Sequence, residues 1–263
     1  MLNYEDSDDI FDDETIFPSK RSRTRKTRKD RKRLVKGNNP TLVNRNRLEL
    51  ASIYPKTDNQ ELTFDYFEDD YNLLLHGLPG TGKTFLSLGL ALAELEASDQ
   101  RRSLTIVRSV VPTRDIGFLP GTEKEKSKVY EAPYAAICAE LYCRGDAYEI
   151  LKAKKLINFM TTSFIRGITI SDTILVVDEA QNLTDAELHS IITRVGKNTK
   201  VIFSGDFGQN DLIYKRMEQS GIVGFMKILA KMPSFRTIEF DIDDIVRSGL
   251  VKEYIIARHN LGM

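Results

Sequence analysis

The sequence predicts an α/β fold, a mostly parallel sheet with helices on both faces, and three observations predict it. The first is Gly77-Leu78-Pro79-Gly80-Thr81-Gly82-Lys83-Thr84, which fills every fixed position of the phosphate-binding loop pattern G-x-x-x-x-G-K-[ST]. The second is its setting. An apolar run at residues 72–76 precedes it and another at 85–95, beginning with Phe85, follows it, as strand, tight turn and helix require. The third is the alternation of short β-forming runs with helical stretches through the rest of the chain.

Taken in order, residues 1–40 form a charged arm, predicted to be disordered, and residues 41–263 one α/β domain. Residues 1–17 hold seven acids and no base, whereas residues 20–36 hold eleven bases against the single acid Asp30. The formal net charge of zero therefore hides a dipolar segment, closed by Gly37-Asn38-Asn39-Pro40. Its basic half reads either as a salt-sensitive arm for RNA or single-stranded DNA or as a solvated tail. The domain then reads as strand 73–75, helix 83–96, strand 103–107, helix 127–142 and a short strand at 156–160. A fully buried strand at 174–177, helix 185–194, strand 199–203, helix 222–232, strand 236–240 and helix 246–258 complete it.

A hydrophobic content of 41% over 263 residues supports a sizeable core. No stretch reaches the roughly 18 apolar residues of a membrane span, and the acidic N-terminus is neither a signal nor a transit peptide. Cys138 and Cys143 suit a reduced, cytoplasmic interior, and the scattered His76, His189 and His259 give them no metal-ligand pattern.

The loop at 77–84 has an evident chemistry. Gly77, Gly80 and Gly82 permit the tight turn that aims backbone N–H groups at phosphate oxygens, and a helix N-terminus adds positive potential. Lys83 is placed for the β- and γ-phosphates of ATP and the Thr84 hydroxyl for Mg²⁺. Four apolar residues, Ile174-Leu175-Val176-Val177, deliver Asp178 and Glu179 to the C-terminal edge of the sheet, where ligands of open α/β sheets bind. Asp178 is the expected Mg²⁺ acid, acting through water, and Glu179 the expected general base. A further strand ends in Gly205-Asp206-Phe207-Gly208-Gln209, where Gln209 is the expected γ-phosphate sensor or water holder. A plain Gly-Asp turn is the other reading of that run.

Together these blocks resemble the PhoH-like family of ATPases, relatives of the superfamily 1 helicase motor. Four further runs carry the resemblance. Lys56-Thr57-Asp58-Asn59-Gln60 is similar to K-T-x-N-Q, and Gly117-Phe118-Leu119-Pro120-Gly121 to G-F-L-P-G. Phe164-Ile165-Arg166-Gly167 is similar to Y-M-R-G, and Asp244-Ile245-Val246-Arg247-Ser248-Gly249-Leu250-Val251 to D-V-V-R-H-P-L-V. Two departures stand out: Val107-Arg108-Ser109 replaces T-R-P, and Ser248-Gly249 replaces H-P. The resemblance covers residue 55 to the end. It implies a RecA-like P-loop NTPase fold, Mg²⁺-dependent ATP hydrolysis and adenine contact by Gln60. It also implies a homo-oligomeric ring, a hexamer, with ATP at the subunit boundary. A single motor domain must find its arginine finger in its own fold or in a neighbour, and Arg247 and Arg166 are the expected candidates. The leading function is an ATPase acting on RNA or single-stranded DNA. The alternatives are an ATPase for protein remodelling or nucleotide metabolism, and a low-turnover ATP-binding regulator.

Overall fold

The computed structural model describes residues 48–97, 100–109, 123–206 and 221–261, and the side chains of 123–127 stand outside that description. The expectations for the arm at 1–40, for the block at 117–121 and for Gln209 lie outside the described residues.

In chain order the elements are α1 (Asp58–Glu68), β1 (Asn72–Gly77), α2 (Lys83–Ala97), β2 (Ser103–Arg108), α3 (Glu123–Leu141), α4 (Ala147–Ala153) and β3 (Ile157–Thr161). Then follow β4 (Thr173–Asp178), α5 (Asp185–Ile192), β5 (Lys200–Gly205), α6 (Ile222–Ala230), β6 (Phe235–Phe240) and α7 (Leu250–Asn260). The strands form one six-stranded sheet in the order β3-β2-β4-β5-β1-β6, and every pairing is parallel. The predicted sheet is therefore observed, with helices on both faces.

Burial of both faces explains the unbroken apolar runs of the strands. Leu73, Leu75, Ile174, Val176 and Ile202 point into one core with Phe64 of α1, Leu88 and Leu92 of α2, Tyr134 of α3 and Tyr148 of α4. Leu74, Leu175, Val177, Val201 and Phe203 point into the other, with Leu188 of α5 and Phe225 and Leu229 of α6. At the N-terminal edge of the sheet, Lys200 Nζ lies 2.8 Å from Glu94 and 3.0 Å from Asp70 and donates to Phe67 O at 2.9 Å. Arg101 pairs with the same two acids. That edge is closed by paired charges, which leaves the C-terminal edge for the ligand site.

Two helices escape the sequence pattern. In α1 the buried positions are Gln60, Thr63, Phe64 and Phe67, so half of its inward face is polar. The signal that does mark it is Thr57, which caps the helix by accepting from Gln60 N. The other, α4, has only 7 residues, two turns. The last helix also differs from expectation, starting at Leu250 rather than at residue 246. Gly249, at φ 59° and ψ −140°, stands at its N-cap in a conformation favouring glycine, so the chain stays non-helical through Arg247.

Candidate functional site

The site is built where β1, β2, β4, β5 and β6 end side by side. Register fixes the neighbours: Arg108 lies opposite Asp178, His76 opposite Gly205, and Gly77 opposite Phe240. The strand ending in Asp206 thus stands between the strand that feeds the loop and the strand that ends in the two acids.

The loop 77–84 closes on itself and on the C-terminal segment. Leu78 N donates to Phe240 O at 2.9 Å and Val246 N donates to Gly80 O at 3.1 Å. The Lys83 ammonium is buried. It donates to Leu78 O at 2.6 Å, to Gly77 O and Thr81 Oγ1 at 3.3 Å, and pairs with Asp206 Oδ1 at 2.7 Å. Beneath the loop His76 is 4% exposed, and burial, then the Lys83 charge, pushes its imidazole down to about 4. It therefore stands neutral beside the lysine at neutral pH.

Thr84 Oγ1 donates to Asp178 Oδ1 at 3.0 Å. Both oxygens are of the hard type Mg²⁺ prefers, and the hydrogen bond between them leaves Asp178 placed to hold the ion through water beside the Thr84 hydroxyl. These two residues therefore fit the metal expected of them. Asp178 is buried, and its second oxygen accepts from the Tyr134 hydroxyl at 3.0 Å. Burial, followed by the Asp178 charge, pushes the Tyr134 phenol well above its usual range, so it remains a donor. The Arg108 guanidinium stands 3.8 Å from Glu179 Oε1, and its charge also acts on the same phenol.

Glu179 sits in the left-handed region at φ 54°, an uncommon conformation for a residue with a side chain. Its carboxyl is pushed up by burial, then by Asp178, with Arg108 opposing. Gln181 Nε2 donates to Glu179 Oε2 at 2.6 Å, while Gln181 Oε1 accepts from Asp206 N at 3.2 Å. A continuous chain therefore runs Glu179–Gln181–Asp206–Lys83, from the expected base to the expected phosphate lysine.

Gln60 is 3% exposed, and both ends of its amide are engaged. Nε2 donates to Thr81 O at 3.0 Å, and Oε1 accepts from Lys56 N at 2.8 Å. It joins the start of α1 to the phosphate loop. Two sequence blocks meet at the buried Asp244, which accepts from Thr57 Oγ1 at 2.5 Å, Asn59 Nδ2 at 2.7 Å and Asp241 N at 2.9 Å. That tie seats the segment leading to Arg247. A Cβ added to Gly80 would come within 3.0 Å of Arg247 Cγ, so the exposed Arg247 runs along the loop. Arg166 is exposed and follows edge strand β3 in the chain; against burial, hydrogen bonds from Thr162 and Thr184, and last the Arg166 charge, hold the Glu187 carboxyl down.

Tyr134, Arg108 and Gln181 are site neighbours that the motifs alone do not single out. Tyr134 carried a signal, since a tyrosine on the buried stripe Glu131, Tyr134, Cys138, Leu141 of α3 needs a partner for its hydroxyl.

Residues 52–258 match the family described as PhoH-like protein. The chain is 33% identical over 221 residues to a PhoH-like protein of Mycobacterium leprae, covering 81% of this chain and 61% of that protein. It is 34% identical over 182 residues to a PhoH-like protein of Bacillus subtilis, covering 69% and 56%, and 30% identical to Protein PhoH of Escherichia coli, covering 69% and 51%. It thus spans between about half and three-fifths of the length of these three relatives. Among solved structures it is similar to the large terminase of thermophilic bacteriophage D6E, with TM-score 0.45 and 10% identity, over 78% of this chain and 50% of that one. A match through nearly all of the α/β domain, residues 52–258, means that this chain belongs to the PhoH-like family.

Proposed function

We propose that the chain binds ATP with Mg²⁺ at the 77–84 loop and hydrolyses it, as one helicase-like motor domain acting on RNA or single-stranded DNA. The observation that carries this reading is the convergence of Lys83, Thr84, Asp178, Glu179 and Asp206 at one edge of the sheet, with Thr84 and Asp178 3.0 Å apart. Lys83 exchanges Asp206 and the loop carbonyls for β- and γ-phosphate oxygens. Thr84 and Asp178 hold Mg²⁺, which neutralises charge developing on the phosphoryl group. Glu179 orients the attacking water and takes its proton. Gln209 senses the γ-phosphate. Gln60 contacts the adenine after one of its two amide partners is given up.

The reading predicts Mg²⁺-dependent ATP turnover that rises with added RNA or single-stranded DNA. Lys83→Ala should weaken nucleotide binding by about tenfold or more, a loss of at least about 1.4 kcal/mol of charge-assisted contact. Turnover indifferent to either polymer would favour the protein-remodelling or metabolic alternative, and binding without turnover the regulator. Deleting residues 1–40 should flatten the salt dependence of polymer binding, since the eleven bases at 20–36 neutralise phosphates. An unchanged slope would leave those bases as a solvated tail.

The proposed assembly is a ring, a hexamer by family resemblance, with ATP between subunits. Arg247, lying along the loop, is the favoured finger, and Arg166, exposed and away from the loop, the second choice. Sedimentation with a non-hydrolysable ATP analogue tests assembly, and a monomer throughout would refute it.

A further inference from the structure

We propose that Tyr134 is a positioning residue for the Asp178 carboxylate, backed by Arg108, and so sets how well the site holds its divalent cation. The proposal rests on the nucleotide-site reading above and names a part that none of the motifs contains.

Asp178 has two carboxylate oxygens, and each has its own hydroxyl neighbour. Oδ1 faces Thr84 at 3.0 Å and Oδ2 faces Tyr134 at 3.0 Å. The first contact points toward the phosphate loop. The second comes from α3, across 44 positions of sequence, and fixes the rotation of the carboxylate about its own axis. The anchoring is rigid because Tyr134 is fully buried and its ring packs 5.9 Å from Phe159 of β3. Arg108, whose charge also acts on the phenol, faces Glu179 at 3.8 Å. One tyrosine therefore links the metal acid to the cation that also faces the base.

Groups that orient a metal ligand act through geometry, and their removal commonly costs ten- to a hundredfold in affinity for the ion. Tyr134→Phe keeps the ring and removes only the donor. Without it, Oδ2 loses a fixed partner and the carboxylate is free to turn away from Thr84, so binding the ion must also restrict that rotation.

The test is binding of a fluorescent, non-hydrolysable ATP analogue to the full chain across a Mg²⁺ titration and in EDTA, with ATP turnover measured beside it. For Y134F, the Mg²⁺ giving half-maximal binding should rise about tenfold, while analogue affinity in EDTA stays unchanged. Phe159→Leu, which loosens the packing but leaves the hydroxyl, should lower the melting midpoint without moving the Mg²⁺ requirement. An unshifted requirement in Y134F, or an equal shift in F159L, overturns the role of Tyr134. If the parent itself binds the analogue with no response to Mg²⁺, the nucleotide-site reading fails and this proposal with it.

Discussion

Glu179→Gln is expected to keep ATP bound and to lower turnover by about 10³-fold, about 4 kcal/mol of barrier. The substitution is nearly isosteric, so the packing of the acid strand should survive it. It leaves the backbone at φ 54°, where the position already sits. What it removes is the ability to take a proton from water. Burial and the neighbouring Asp178 raise the Glu179 carboxyl, which makes it a better proton acceptor than a surface glutamate. Binding should change by no more than about threefold, less than 1 kcal/mol, because Lys83, Thr84 and the loop N–H groups are untouched. Single-turnover hydrolysis and an analogue-binding titration, run on the same preparation, separate the two effects. Equal turnover in variant and parent would remove Glu179 as the base, and a parallel loss of binding would mean that the residue holds the site together.

The contrast with Lys83→Ala follows from the hydrogen-bond chain through Gln181 and Asp206. Lys83 and Glu179 stand at its two ends, with Gln181 bound to both Glu179 and Asp206 N. On the proposed reading, phosphate arriving at Lys83 would displace the Asp206 carboxylate, whose backbone N–H is held by the same Gln181 amide that donates to Glu179. Losing the lysine should therefore weaken binding first, while losing the glutamate carboxylate should spare binding and stop chemistry.

How much of this was legible in the sequence depends on the range of the interaction. Parallel strands buried on both faces read as unbroken apolar runs, so residues 73–75, 174–177 and 201–203 announce themselves, and the acids ending one run are placed with it. The loop at 77–84 is contiguous and equally plain. Strand order is not legible, because nothing local says that β5 inserts between β1 and β4. Nor is the Tyr134–Asp178 contact, which joins a helix to a strand 44 positions away. Arg108 was visible only within the run that departs from T-R-P, with no role attached to it, yet its guanidinium faces Glu179. The polar inward face of α1 hid a helix whose Thr57 and Asn59 hold Asp244 and thereby the segment carrying Arg247.

Gly77→Ala is expected to destabilise the domain by about 4 kcal/mol, lowering the melting midpoint by roughly 10 °C. Gly77 sits at φ 121°, a conformation that disfavours any side chain. The larger cause is space. A Cβ there would lie 2.0 Å from Phe240 O and under 3 Å from two more backbone atoms of Phe240. Phe240 cannot step aside, because its carbonyl accepts from Leu78 N at 2.9 Å and its strand is paired with β1 through six residues of register. The new methyl must therefore push β6 from β1 at the point where the phosphate loop begins. Gly80→Ala provides the internal comparison. Its φ is also positive, at 75°, but its nearest neighbours are the Arg247 Cγ at 3.0 Å and the Ile255 Cδ1 at 3.1 Å, both side-chain atoms that can give way. That variant should cost only about 1–2 kcal/mol, roughly 2–6 °C. Thermal melts of the two variants against the parent decide the matter. Similar midpoints for both would mean that backbone conformation alone accounts for Gly77, and that the close approach of Phe240 relaxes without cost.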